Sequence, residues 1–347
     1  MKSVLALPAG PWRWALAVAA VLAAPLVITS GYLLGIAIVI GIHTPVVLGL
    51  ILLMNYAGQV SLGQAAFYGL GAYTAGILTA TYKWPPLVAL AAAVLVPGAV
   101  AAVVGRPLLR LREQYLALAT LGLGILVFIG FNEAKVLTGG PSGLLGIPYF
   151  SLGPLVFDRD VKFFHLVWLI NVGLFWLAGN LVRSPAGRAL RAIHDSEVAA
   201  QAVGIDTGWW KWQVLIFSAL LAGLAGGLYA FYVCFVSPSP FGLVASIQFV
   251  LMAVLGGGSV WGALWGAAAV TVLVEVLRAV VPLIHRGAGG EFEIIGLGVL
   301  LVALLLWRHT GGREPLQALR RYCGRPWRLL PGAARGNPGP DRAQRGR

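Results

Sequence analysis

Charge is scarce in this sequence. Only 11% of its 347 residues are Asp, Glu, Lys or Arg, against roughly 25% in a soluble domain. Such a chain cannot cover a large water-facing surface, and it has no long polar block from which to build a separate soluble domain. Cysteine is scarcer still. Cys234 lies in an apolar run and Cys323 in an Arg-rich tail, too far apart for a disulfide framework, which needs neighbours; two free thiols are expected. The loops that carry common chemistry are also missing. There is no G-x-x-x-x-G-K-[ST] loop, no Cys/His spacing for a metal, no H-E-x-x-H and no G-x-S-x-G, and the five histidines are scattered. An enzyme is therefore not expected, nor a catalytic residue, bound cofactor or metal. Acidic clusters at depth, which ion-coupled carriers place on their pathways, are absent as well.

What is present is apolar length. Hydrophobic residues make up 59% of the chain and its mean hydropathy is +0.85. A membrane-spanning helix needs about 20 such residues. Runs of about this size predict ten spans: Trp14–Ser30, Tyr32–Met54, Gly63–Tyr82, Leu87–Gly105, Tyr115–Phe131, Phe163–Leu181, Trp212–Cys234, Gly242–Leu255, Val260–Val281 and Phe292–Trp307. The expected fold is an all-α polytopic membrane protein of about ten transmembrane helices, some broken at glycines. Gly242–Leu255 is short enough for a broken or re-entrant segment. Lys2, Arg13 and the Ala-rich run to Pro25 have the form of a secretory signal, but the spans that follow favour a first transmembrane helix.

The net charge of +13 is topological rather than a nucleic-acid footprint, because Lys and Arg concentrate in cytoplasmic loops. With the N-terminus inside, nineteen of the 25 basic residues fall inside and six outside, so both termini are expected in the cytoplasm. The organisation is a cytoplasmic N-terminus at 1–13, a membrane domain at 14–307 and an Arg-rich cytoplasmic tail at 308–347, disordered by composition. Two loops are large: an external one at 133–162, rich in Gly and Pro, and an internal one at 183–211.

Polar and glycine residues interrupt the apolar runs. NYAGQVSLGQAAFYGLGAYTAGIL carries Asn55, Gln59, Ser61 and Gln64 beside Gly58 and Gly63. Buried amides are costly without partners, and non-helical backbone at membrane depth is tolerated where it lines a cavity or is buried in protein. Gly58 to Gly63 is thus a predicted helix break, whose polar residues satisfy the freed backbone or face a polar solute. Gly69, Ala72 and Gly76 then form a small-residue stripe for close packing. GGGSVWG repeats the theme with Gly257, Gly258 and Gly262, and glycine-interrupted segments in two halves of a transporter point to a midplane pathway. Packing alone is the alternative for both. His43, ahead of Pro45, is the one ionisable group near mid-depth; bonding to a neighbouring carbonyl is the simpler reading and pathway lining the other. Glu275 and Arg278 share a helix face near the outer end of their span and pair or snorkel.

The inner loop reads RSPAGRALRAIHDSEVAAQAVGID. Ser184 is a candidate cap with Pro185 at the first helical position. Arg188, Arg191 and His194 share a face, and alanines supply small apolar surface. Such a helical hairpin suits docking into another protein's groove; a solvated, topology-setting loop is the alternative.

Together these two blocks resemble the permease family of branched-chain amino-acid ABC transporters. FSALLAGLAGGLYA, GGGSVWGALWGAA and TGGPSGLLGIP extend the likeness over roughly Met54 to Trp307. The resemblance implies an ABC importer permease fold in the cell (inner) membrane and no enzymatic activity of its own. It identifies the inner loop as ATPase-coupling, with Ser184, Gly187, Arg188, Arg191, Glu197, Ala199, Ala200 and Gly204 as its residues. Glu197, Ala199, Ala200 and Gly204 also loosely resemble the E-A-A-x-x-x-G loop of other importer permeases, with Val198 extra. The implied partners are a homologous second permease subunit, two cytoplasmic ABC ATPase subunits that bind the ATP, an extracytoplasmic amino-acid-binding protein and membrane lipid. Urea or short amides are alternative solutes within the family. An ion-coupled secondary amino-acid carrier is the alternative of another class.

Overall fold

The computed structural model describes residues 30–109, 113–153 and 155–284, with 18, 19, 21–23, 25 and 298. The chain divides into two units, 1–297 and 298–347, and the first is described here. Its helices are α1 (Gly31–Ile51, continued by a π-helical turn Leu52–Tyr56), α2 (Gln64–Ala80), α3 (Pro86–Leu108), α4 (Glu113–Glu133), α5 (Lys135–Thr138), α6 (Asp160–Arg183), α7 (Pro185–Asp195), α8 (Glu197–Ala202), α9 (Thr207–Val233), α10 (Leu243–Gly256) and α11 (Gly262–Ile284). Among the described residues, five stretches are long and apolar enough to cross a membrane: Gly31–Tyr56, Pro86–Leu108, Tyr115–Glu133, Asp160–Arg183 and Thr207–Val233. The expected spans Trp14–Ser30 and Phe292–Trp307 lie almost wholly outside the described residues, as do Cys323 and the tail. Cys234 is a free thiol.

Two helices form the centre. In α1 and α9, 72% of the most apolar window is buried inside the protein, against 17% in α4. A helix apolar all round belongs in a core or in lipid, and these two take the core. Glycine brings α9 against its neighbours. A Cβ at Gly226 would fall on the Tyr68 carbonyl of α2, one at Gly71 on the backbone of Gly223, and one at Gly223 on the Ala93 carbonyl of α3. The closest crossing therefore runs through Gly71, Gly223 and Gly226. The expected stripe makes looser contacts, with Gly69 against Phe131 and Phe241 and Gly76 against Leu144 and Ile147.

Pro45 sits inside α1, where it removes the hydrogen bond due to the carbonyl four residues earlier. That carbonyl, Gly41 O, accepts from Asn171 Nδ2 of α6 at 2.8 Å. Trp168 Nε1 donates to Ala37 O one turn earlier at 3.2 Å. A proline in one helix is thus compensated by a polar side chain of another.

The long loop between α4 and α6 folds onto the bundle. Gly139, Gly140, Gly143 and Gly146 take left-handed φ, letting the chain reverse in a few residues. Leu144 pairs with Val236 in an isolated bridge, and Ile147 is buried. The all-α expectation misses a two-residue antiparallel hairpin in this loop, β1 (Ser151–Leu152) with β2 (Leu155–Val156), where Gly153 supplies a turn residue of positive φ.

Candidate functional site

The first glycine break is largely buried, with Val60 at its turn 40% exposed. The π-helical turn widens α1 so that Ala57 N bonds to Leu52 O at 3.3 Å, and Gln59 N reaches Leu53 O at 2.9 Å. Gly58 then turns the chain at φ +70°, and Gly63 precedes α2. Other freed donors are met from other helices as well as locally. Leu62 N bonds to Thr120 Oγ1 of α4 at 3.1 Å and Ala65 N to Ser246 Oγ of α10 at 3.3 Å, while Gly63 N bonds to the local Ser61 Oγ at 3.4 Å. Gln64 Nε2 donates to Ser218 Oγ of α9 at 2.8 Å. Gln59, Ser61 and Gln64 are all buried, and the side-chain oxygens of Gln59 and Gln64 meet no partner among the described residues.

The second break uses the same local devices in a more open place. Gly257 turns at φ +69°. Gly262 N bonds to Ser259 Oγ at 3.1 Å, and Gly256 and Gly262 lie so close that a Cβ on either would meet the other's carbonyl. Gly258 has open space around it, and Trp261 is 43% exposed while its ring stacks on Phe175 of α6 at 4.9 Å. The breaks touch: Asn55 Nδ2 in the π-helical turn donates to Gly257 O at 2.9 Å. Asn55 therefore serves the second break rather than an amide of its own.

Toward the start of α1, residues of α1, α10 and α11 with Tyr232 of α9 enclose a half-open groove of about 370 Å³. Its mouth holds Tyr32, Glu275 and Arg278, its walls Ile36, Val39 and Val274, and its depth His43, Gln248 and Thr271. Tyr32 OH donates to Glu275 Oε1 at 2.7 Å, and Arg278 Nη1 lies 4.0 Å from Glu275 Oε2. His43 Nδ1 faces a hydroxyl, Thr271 Oγ1 at 3.4 Å, not the carbonyl expected, and packs edge-on to Phe249. Of the polar residues nominated from sequence, His43 lines this groove.

At the other end of the bundle lies the helical hairpin. Ser184 Oγ accepts from Gly187 N at 3.5 Å at the start of α7, and Ser196 Oγ accepts from Ala199 N at 3.3 Å at the start of α8. Gly187 packs under the Leu181 and Val182 carbonyls, where a Cβ would collide. Arg191 Nη2 donates to Val182 O at 2.7 Å and Arg188 Nη1 to Arg183 O at 3.4 Å, so both close the end of α6. Gly204 ends α8 at φ +84°. Glu197 Oε2 accepts from Lys211 Nζ at 2.6 Å, and that bond holds the Glu197 carboxyl below its usual range. Ala199 is exposed, whereas Ala200 is 3% exposed and turned into the chain. The outward apolar residues are Val198 and Val203, 77% and 76% exposed.

A family model described as "Branched-chain amino acid transport system / permease component" matches residues 32–306. The chain belongs to this permease family. The match takes in both glycine breaks, the groove and the hairpin. Among curated relatives, the permease is 33% identical over 288 residues to the high-affinity branched-chain amino acid transport system permease protein LivM of Salmonella typhimurium, and 32% identical to that of Escherichia coli. Each alignment covers 76% of the permease and 66% of the relative. A fructose import permease protein, FrcC of Rhizobium meliloti, is 28% identical over 160 residues, covering 44% of the permease and 41% of the relative. No solved structure matches.

Residues that sequence reasoning overlooked in the permease are the reciprocal partners: Thr120, Asn171, Ser218, Ser246, Gln248 and Thr271. Each is an uncharged polar residue set within an apolar run. That was the available signal, because a polar group in hydrocarbon needs a partner.

Proposed function

We propose that this permease is one membrane subunit of an ATP-driven importer for branched-chain or related amino acids, and that it forms half of a translocation pathway with a homologous second permease. Two cytoplasmic ATPases hydrolyse the ATP, and an extracytoplasmic binding protein delivers the solute and sets most of the selectivity. Both termini lie on the ATPase side, following the charge split between loops. The observation that carries the reading is the joined pair of glycine breaks, Asn55 to Gly257, in a chain whose family match spans both. Broken helices meeting inside a bundle are the form that transport pathways take in membranes.

The hairpin α7–α8 receives the ATPase motion. It packs beside the π-helical turn, so a shift of the hairpin reaches the first break directly. Because Ala200 is buried in its own chain, a bulky residue there disturbs the hairpin rather than a docked partner. Val198 and Val203 are the positions that test docking. Val198→Arg and Val203→Arg should fold normally and abolish the stimulation of ATP hydrolysis by loaded binding protein in lipid-reconstituted complex. Normal stimulation in both variants would show that the hairpin is not the coupling element.

A further inference from the structure

The groove between α1, α10 and α11 has a chemical order along its length. Tyr32 and His43 are eleven positions apart on α1, about 16 Å at a rise of ~1.5 Å per residue. Glu275 and Arg278 stand at one end, aliphatic Ile36, Val39 and Val274 follow, and neutral polar His43, Gln248 and Thr271 stand at the other. Its volume of about 370 Å³ falls in the range of roughly 300–1,000 Å³ of small-molecule sites. Ionisable groups within a membrane span are rare and face a bundle interior or a water-filled cavity. Glu275 is about two turns from the end of α11. The side chain of Arg278 is 61% exposed and that of Glu275 30%, and both line the groove.

We propose that this groove is the chain's share of the solute path, and that Glu275 and Arg278 at its mouth orient zwitterionic amino acids. The Glu275 carboxylate meets the ammonium, the Arg278 guanidinium meets the carboxylate, and Ile36, Val39 and Val274 take an aliphatic side chain. Tyr32, through its bond to Glu275 Oε1, holds that carboxylate toward the mouth. The contact is a passing one that orients the solute, leaving affinity to the binding protein. This inference rests on the importer reading above.

The test uses the assembled complex in proteoliposomes. ATP-dependent uptake of labelled leucine from loaded binding protein by the wild type examines the importer reading alone. Val39→Cys and Val274→Cys, made after replacing Cys234 and Cys323, examine the groove without any transport. Both thiols should react with a water-soluble cationic methanethiosulfonate reagent, and failure of both to react overturns the proposal because protein or lipid then fills the groove. Glu275→Gln should lower leucine uptake about tenfold, as loss of a charge-assisted contact does. The exchange Glu275→Arg with Arg278→Glu should be equally impaired, because a solute entering in a fixed orientation meets the wrong charges. Normal uptake by Glu275→Gln, or recovery in the exchanged pair, overturns the proposal and leaves a structural ion pair.

Discussion

The two glycine breaks share local devices and differ in what surrounds them. Each has a left-handed glycine, Gly58 or Gly257, and a glycine beside the start of the next helix, Gly63 or Gly262. The first break buries Gln59, Ser61 and Gly63 while Val60 is exposed, and it is tied to α4, α9 and α10 through Thr120, Ser218 and Ser246. The second leaves Gly258 and Ser259 exposed and satisfies Gly262 N locally, from Ser259. The same turn chemistry thus serves an interior knot in one place and a surface-facing corner in the other. Tertiary packing, not the turn, sets what each position tolerates.

Steric substitution should separate them most. A Cβ at Gly63 would lie 2.8 Å from Thr120 O, while Gly258 has nothing within 4 Å. Gly63→Leu should cost about 3 kcal/mol through overpacking and lose most monodisperse protein on gel filtration. Gly258→Leu should stay within about 0.5 kcal/mol in thermal unfolding. Equal behaviour would erase the distinction between knot and corner.

Polar substitution should separate them less. Gln64→Leu leaves buried Ser218 without its donor and should lower stability by about 1–3 kcal/mol. Ser259→Ala removes an exposed cap and should cost about 1 kcal/mol or less. Detergent-solubilised thermal melts of the two variants, side by side, check the order.

The turn glycines should differ modestly. Gly58→Ala should cost about 1 kcal/mol from its positive φ, and Gly257→Ala about 1–3 kcal/mol, because φ +69° with ψ −164° is nearly closed to other residues. Equal melting temperatures for the two variants would show that the local backbone does not set the cost.

The smallest effect lies in the hairpin that adjoins the first break. The bond from Lys211 depresses the Glu197 carboxyl. Its contribution is full above the ordinary glutamate range and is lost as pH falls through the depressed value. Because the Glu197 side chain is 46% exposed, solvent screening keeps the pair under about 1 kcal/mol. Glu197→Gln should therefore lower the melting temperature slightly at neutral pH and leave it unchanged in acid, as a pH series of melts would show.

Part of this was legible in the chain. Among the described residues, α1, α2, α3, α4, α6, α9, α10 and α11 fall close to expected apolar runs, five of these stretches being long and apolar enough to cross a membrane, while α5, α7 and α8 lie in the expected loops. The break at Gly58 to Gly63 was visible because glycines and amides cluster where neither suits a spanning helix. The cap at Ser184 is local, needing only a hydroxyl three residues before an amide; the same signal at Ser196 was overlooked. Partners were not legible. Asn171 meets Gly41 O only because α6 crosses α1 one turn before Pro45, and the small-residue stripe nominated in α2 meets α9 through Ala72, which lies against Gly226, but leaves out Gly71, which lies against Gly223.

The sequence by itself determined that this is a helical membrane protein with broken helices, because hydropathy, glycine and capping act over a few residues and need no distant neighbour. The tertiary structure alone decided which polar groups are sealed and which face a groove. Gln59, Ser61 and Gln64 look as solute-ready as His43 when read along the chain. Helix crossings close over the first three and leave His43 beside α10 and α11, and burial is a property of contacts between segments about two hundred residues apart.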